Sequence, residues 1–187
     1  YASVSWAQNN SYLSMTSDNG IQLWTVPISG NYTIRAKGAA GLNTIGGRGR
    51  DVQLTTTLVK GEVIRILVGQ QGTASGNFSS GGGGTFVVRG TDTPIIVAGG
   101  GGGRGDVIVY GIYRFTDAVI VTSGNHIPNG WPGGSEGGGG TAPYQGGGGG
   151  FNINNSPQPK GGVSFTSGGF GGQGTIDGGF GGGGAYL

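Results

Sequence analysis

The chain has 187 residues, enough for one domain with a sizeable core; 49 are glycine and only 10% are charged, against roughly 25% in ordinary globular domains. With 34% hydrophobic residues, that low charge argues against disorder, which usually needs high net charge and few apolar groups. The formal charge of +2 is scattered along the chain and forms no phosphate-tracking stripe, so nucleic acid is not an expected partner.

The absence of cysteine removes disulfides and thiolate metal sites, and no apolar run approaches membrane-spanning length, so no direct membrane insertion is expected. Tyr1 opens the chain, which reads as a processed product or a segment of something longer.

In chain order, a polar lead-in precedes an apolar strand at residues 21–26, closed by Pro27 and followed by a turn at 28–31. Residues 32–37 alternate, with Tyr32, Ile34 and Ala36 on one face and Thr33, Arg35 and Lys37 on the other. The same period recurs at 52–58 and, after a Lys60-Gly61-Glu62 turn, at 63–68. Further strands are expected at 85–89, 93–98, 107–113 and 118–122, rich in β-branched and aromatic residues. Short strands with turn punctuation and no helical period predict an all-β fold, a β-sandwich or jelly roll. The strand-rich part covers 20–98 plus 106–123 of a single domain spanning 1–187.

Glycine runs interrupt this pattern: Gly81, Gly82, Gly83 and Gly84; Gly99, Gly100, Gly101, Gly102 and Gly103; and a later block that includes Gly146, Gly147 and Gly148. Flexible linkers are usually mixed with serine and lack large apolar residues, whereas here Trp131, Tyr144, Phe151, Phe165, Phe170, Phe180 and Tyr186 punctuate the glycine. Collagen needs a strict three-residue glycine register with abundant proline, which seven prolines do not supply. The remaining reading is a bundle of extended polyglycine II helices at 81–84, 99–103, 133–150 and 168–184, whose bare backbones approach until N–H and C=O groups pair between segments.

The order Gly20-Ile21-Gln22-Leu23-Trp24-Thr25-Val26-Pro27, Tyr32-Thr33-Ile34, Gly38-Ala39-Ala40-Gly41 and Ile66-Leu67-Val68-Gly69-Gln70-Gln71-Gly72 resembles the extracellular glycine-rich region of the anaplastic lymphoma kinase and leukocyte tyrosine kinase receptors. The runs at 81–84 and 99–103, with Thr85-Phe86-Val87 and Ile95-Ile96-Val97-Ala98 between them, extend the resemblance, which covers about 20–103. It implies a tumour-necrosis-factor-like antiparallel β-sandwich carrying inserted glycine helices, an extracellular setting and a role in binding protein ligands.

Signals for catalysis are sparse. His126 is the single histidine, and no pair among the eight carboxylates has a spacing that suggests glycosidase work. No Gly-Lys-Ser or Gly-Lys-Thr accompanies the glycine, so nucleotide binding has no support, and no catalytic residue, metal ligand or cofactor is assigned. Arg104, Gly105 and Asp106 form a tripeptide of the cell-attachment type, or else simply end a glycine segment and begin a strand. Asn9, Asn31, Asn77 and Asn154 head Asn-x-Ser/Thr sequons, consistent with glycosylation of a secreted protein.

The expected function is therefore a non-enzymatic, surface-exposed structural and recognition module, extracellular or on a virion surface. It would work through a protein partner or self-association into a homo-oligomer. The alternative is a virion component, a capsid-surface protein or tail-fibre adhesin, using the sandwich for assembly and the glycine bundle as a spike or receptor-binding tip.

Overall fold

The computed structural model describes residues 11–16, 20–41, 46–76, 78–103, 117–118, 150–152 and 161–185. Over them the fold is all-β, with antiparallel sheets and a single turn of 3-10 helix at Phe165–Ser167. Strands β1 (Leu13–Met15), β2 (Gln22–Thr25), β5 (Val63–Leu67), β8 (Thr85–Arg89) and β9 (Thr93–Ala98) make one sheet in the order β1-β2-β5-β8-β9. A second sheet pairs β3 (Gly30–Lys37) with β4 (Asp51–Leu58), and a small hairpin pairs β6 (Ala74–Ser75) with β7 (Phe78–Ser79).

The six expected strands between residues 21 and 98 all form, with ends displaced by at most two residues. Two features were not anticipated. Within the supposed polar lead-in, Leu13 to Met15 pair with Trp24 to Gln22, because an edge strand is held by backbone bonds to one neighbour and needs no buried face. The β6–β7 hairpin has two residues per strand, too few for a period to register, and turns beside Gly76 at φ +58°. Pro94 lies in β9, an edge strand of the large sheet, where a missing N–H is tolerated. The strand reading at 107–113 and, apart from Ala118, that at 118–122 fall outside the described residues.

The large sheet is covered on both faces. On one, β3 and β4 lay Tyr32, Ile34, Ala36, Val52, Leu54 and Leu58 over a core shared with Trp24, Ile64, Val87, Ile96 and Ala98. On the other, Leu67, Phe86 and Val88 meet Phe151, Phe165 and Phe180 from the glycine-rich C-terminal part. The rings of Phe86 and Phe165 stack at 5.3 Å, those of Phe151 and Phe165 at 5.4 Å, and the Arg65 guanidinium lies 5.8 Å from the Phe165 centroid. Two-sided cover explains why Thr85 to Val88 are all buried although half-exposed strands alternate.

The glycine-rich segments leave the sheet at one end and pair laterally through their backbones. The N–H groups of Gly81, Gly82, Gly83 and Gly84 donate in turn to the carbonyls of Gly184, Gly101, Gln70 and Gly181. Three neighbours are addressed in succession, and the fourth residue returns to the first neighbour. A strand would instead alternate with period two. Ala39 N–H reaches Gly83, Gly101 N–H reaches Ala39, Gly47 N–H reaches Gly102 and Arg50 N–H reaches Gly99, knitting in two further segments. At most positions inside this packing there is no room for a side chain. A Cβ on Gly82 would overlap the Ala40 carbonyl, on Gly83 that of Phe180, on Gly100 that of Gly82 and on Gly101 that of Gly47.

Candidate functional site

The two sheets are not coextensive. β3 and β4 cover β8 and β9 more fully than β2, so an open apolar cleft of about 390 Å³ remains beside β3. Its floor comes from alternate residues of β2 and β5, Trp24, Ile64 and Ile66, continued by Val68 and Val87; its wall is Ile34 and Ala36 of β3. Trp24 packs edge-on against Tyr32, with ring centroids 5.4 Å apart at 76°. Strand periodicity places all of these side chains, since residues two apart share a face.

At the far end of the cleft, Thr85 Oγ1 donates to the Lys37 carbonyl (2.6 Å) and accepts from Gly69 N–H (2.9 Å). One hydroxyl thereby ties β8 to the points where β3 and β5 give way to glycine-rich chain. On the solvent face of β3 and β4, where Arg35 and Lys37 also border the cleft, Asp51 accepts from Arg35 Nε (2.8 Å) and Nη2 (2.6 Å) and pairs with Lys37 Nζ at 3.1 Å. The bidentate bond to Arg35 and the bond to Lys37 lower the Asp51 carboxyl to about 2, and Asp51 raises the Arg35 guanidinium. At the other end Arg89 Nε is 3.4 Å from Glu62 Oε1 but is not aligned as a hydrogen bond.

Among the described residues no three His, Cys, Asp or Glu side chains converge as metal ligands, and no helix is long and apolar enough to cross a membrane. Of the sites expected from sequence, Gly81 to Gly84 and Gly99 to Gly103 lie in the paired glycine segments. Asn31 is exposed on β3, its Oδ1 accepting from Thr57 Oγ1 at 2.8 Å. Arg104, Gly105, Asp106, Asn9, Asn77, Asn154, Gly146, Gly147 and Gly148 lie outside the described residues, as does His126.

Sequence reasoning did not single out the cleft or the Thr85 latch. It also missed the glycines outside the long runs that line the bundle: a Cβ on Gly38 would overlap the Gly99 carbonyl, one on Gly69 that of Gly83 and one on Gly72 Ser80. Their signal was available as spacing, glycine at 38 and 41 and again at 69 and 72, which is the three-residue period of the backbone pairing. What the residues define is an all-β protein with laterally paired glycine segments. Compared with known proteins, the chain matches no family model and no curated sequence.

Proposed function

We propose that this chain is a non-enzymatic, surface-exposed structural and protein-recognition module: a tumour-necrosis-factor-like β-sandwich of jelly-roll type that carries a rigid bundle of polyglycine II helices and acts by protein–protein contact. The observation that carries the reading is the three-neighbour rotation of the N–H groups of Gly81 to Gly84. Polyglycine II has three residues per turn and no internal hydrogen bonds, so each N–H must look outward to a different neighbour. The core shared by the two sheets supports the sandwich. The likeness of 20–103 to the receptor glycine-rich regions supports an extracellular binding role.

Such a bundle is a stiff body with backbone rather than side chains at its centre. It holds outward-facing residues in fixed positions at little cost in charge or bulk, which suits a recognition surface more than a reaction centre. Two measurements test the reading. Amide exchange of Gly82, Gly83, Gly100 and Gly101 should be slowed to the level of β8, and exchange at free-peptide rates would refute the bundle. Light scattering with an affinity screen of extracellular proteins should give a defined oligomer and a saturable protein ligand. Open-ended fibres with no such ligand would overturn the recognition role.

A further inference from the structure

Asp177 is the only aspartate of the chain that is followed by glycine. Glycine has no side chain to shield its amide and turns freely, so its nitrogen can attack the preceding aspartyl side chain and close a five-membered succinimide. In the fold every group that this reaction uses is held. The Asp177 carbonyl accepts from Thr73 N–H (3.2 Å), from Thr73 Oγ1 (2.9 Å) and from Ser80 Oγ, whose proton is shared with the Thr73 carbonyl. Gly178 N–H donates to the Gly172 carbonyl at 2.9 Å. The Asp177 carboxylate is turned back along the chain, its Oδ1 accepting from Gly174 N–H at 3.0 Å.

We propose that Asp177–Gly178 is a site of spontaneous aspartyl isomerisation that the glycine bundle keeps closed, and that once modified it bars the C-terminal glycine segment from docking again. In the reaction the Gly178 nitrogen gives up its proton and bonds to Asp177 Cγ, and one carboxyl oxygen leaves as water. Water then adds to the ring. Cleavage between the nitrogen and the original main-chain carbonyl carbon leaves the chain running through Cγ, an isoaspartyl linkage of unchanged mass that needs no oxidant or second substrate. The nitrogen reaches Cγ only if the peptide plane between residues 177 and 178 rotates. That plane carries the Asp177 carbonyl on one edge and the Gly178 N–H on the other, so rotation breaks the bonds to Thr73, Ser80 and Gly172 together, and the carboxylate must also leave Gly174. Reaction therefore waits for local opening of the segment. Afterwards the main chain is longer by one methylene where the packing has no slack. A Cβ on Gly178 would overlap the Gly183 carbonyl and one on Gly179 that of Gln70, while Gly179 N–H is bonded to Gly81 and Gly172 N–H to Gly183. The added carbon must displace one of these backbones.

Peptide mapping of the full chain with electron-transfer fragmentation, backed by labelling with an isoaspartyl methyltransferase, reads the linkage at residue 177. At neutral pH the chain in guanidinium should accumulate isoaspartate there at least about tenfold faster than the folded chain, because only open molecules react. Thr73→Val and Ser80→Ala each withdraw a hydroxyl from the Asp177 carbonyl. Loss of one neutral hydrogen bond makes the opening about tenfold more populated, and the rate in the folded variant should rise by that factor. Thr73 is exposed and its variant keeps the side-chain shape, so it serves if Ser80→Ala does not fold. Equal rates in folded and denatured parent, or an unchanged rate in folded Thr73→Val, overturn the proposal. Chain converted in denaturant and returned to buffer should exchange the amides of Gly178, Gly179 and Gly183 at free-peptide rates while those of β8 stay slow. Parent-like protection at these glycines would overturn the one-way step.

Discussion

Gly99 and Gly101 sit two residues apart in one glycine run, and their surroundings differ. A Cβ on Gly99 would meet only the Ala118 Cβ at 3.5 Å, an ordinary contact, and neither residue has positive φ. A Cβ on Gly101 would overlap the Gly47 carbonyl and come within 2.8 Å of the Arg48 carbonyl carbon, both backbone. Backbone cannot rotate aside, so Gly101→Ala must push the 46–50 segment away. Three bonds hold that segment against its neighbours: Gly47 N–H to Gly102, Arg50 N–H to Gly99 and Gly41 N–H to Gly47. At about 1 kcal/mol each their loss costs about 3 kcal/mol, offset by the roughly 0.4–1 kcal/mol that Gly→Ala withdraws from unfolded-chain entropy. The expected net loss is about 2–3 kcal/mol, a fall in Tm of about 5–10 °C for a domain of this size. Gly99→Ala retains only the entropic gain and should be neutral or stabilising by up to about 1 kcal/mol. Urea titration of the two variants with the parent checks both values. Equal tolerance at the two positions would refute the claim that the runs are interlocked.

Thr85→Val keeps the shape of the side chain but strands Gly69 N–H and the Lys37 carbonyl, so urea denaturation should show a loss of about 2–4 kcal/mol. Phe165→Ala opens the stack between Phe86 and Phe151, and a loss of about 3–5 kcal/mol is expected by the same assay. For the Arg35–Asp51–Lys37 cluster the sign follows from a carboxyl held down to about 2. A depressed folded-state value contributes stability above the unfolded carboxylate value near 4 and loses it as pH falls toward 2. The stability difference between the parent and Asp51→Asn should therefore be present at pH 6, decline between about pH 4 and 2, and shrink with added salt because the groups are exposed.

The strands were legible because their faces differ. β3 and β4 each have one wet and one buried side, and the resulting alternation can be read directly from Tyr32 to Lys37 and Val52 to Leu58. β8 and β9 were readable by their β-branched run between two glycine blocks. β1 and the β6–β7 hairpin carry no periodic signal, one being a three-residue edge and the other two residues per strand. The cleft was illegible for a different reason. Trp24, Ile64 and Ile66 look like any core-facing residues, and only the limited extent of the β3–β4 sheet among the described residues leaves them beside an opening. For the bundle, long runs drew attention to its centre. Its periphery was hidden in Gly38-x-x-Gly41 and Gly69-x-x-Gly72, where glycine is needed only at the residue facing inward.

That distinction bears on how so much glycine becomes ordered at all. Fixing a backbone costs about 1–2 kcal/mol per residue, most of all for glycine, while a hydrogen bond returns about 1 kcal/mol net. Lateral bonds alone therefore cannot order an isolated run. Here each central run is the direct continuation of a strand: residue 84 leads into Thr85, and Ala98, paired with Thr85, leads out to residue 99. The register of β8 against β9, already fixed by buried Phe86, Val88, Ile96 and Ala98, sets where the runs start and which way they point. Thr85 then fixes the exits from β3 and β5 to the same level. Four segments thus leave the sheet in alignment, and the C-terminal part is held by Phe151 and Phe165 at the opposite face. Because the sheet imposes the alignment, loosening Thr85 should slow neither strand pairing nor collapse of the apolar core, but should raise amide exchange across Gly82, Gly83, Gly100 and Gly101 together. Exchange that rose only at Gly69 would show that the runs keep their order without the sheet.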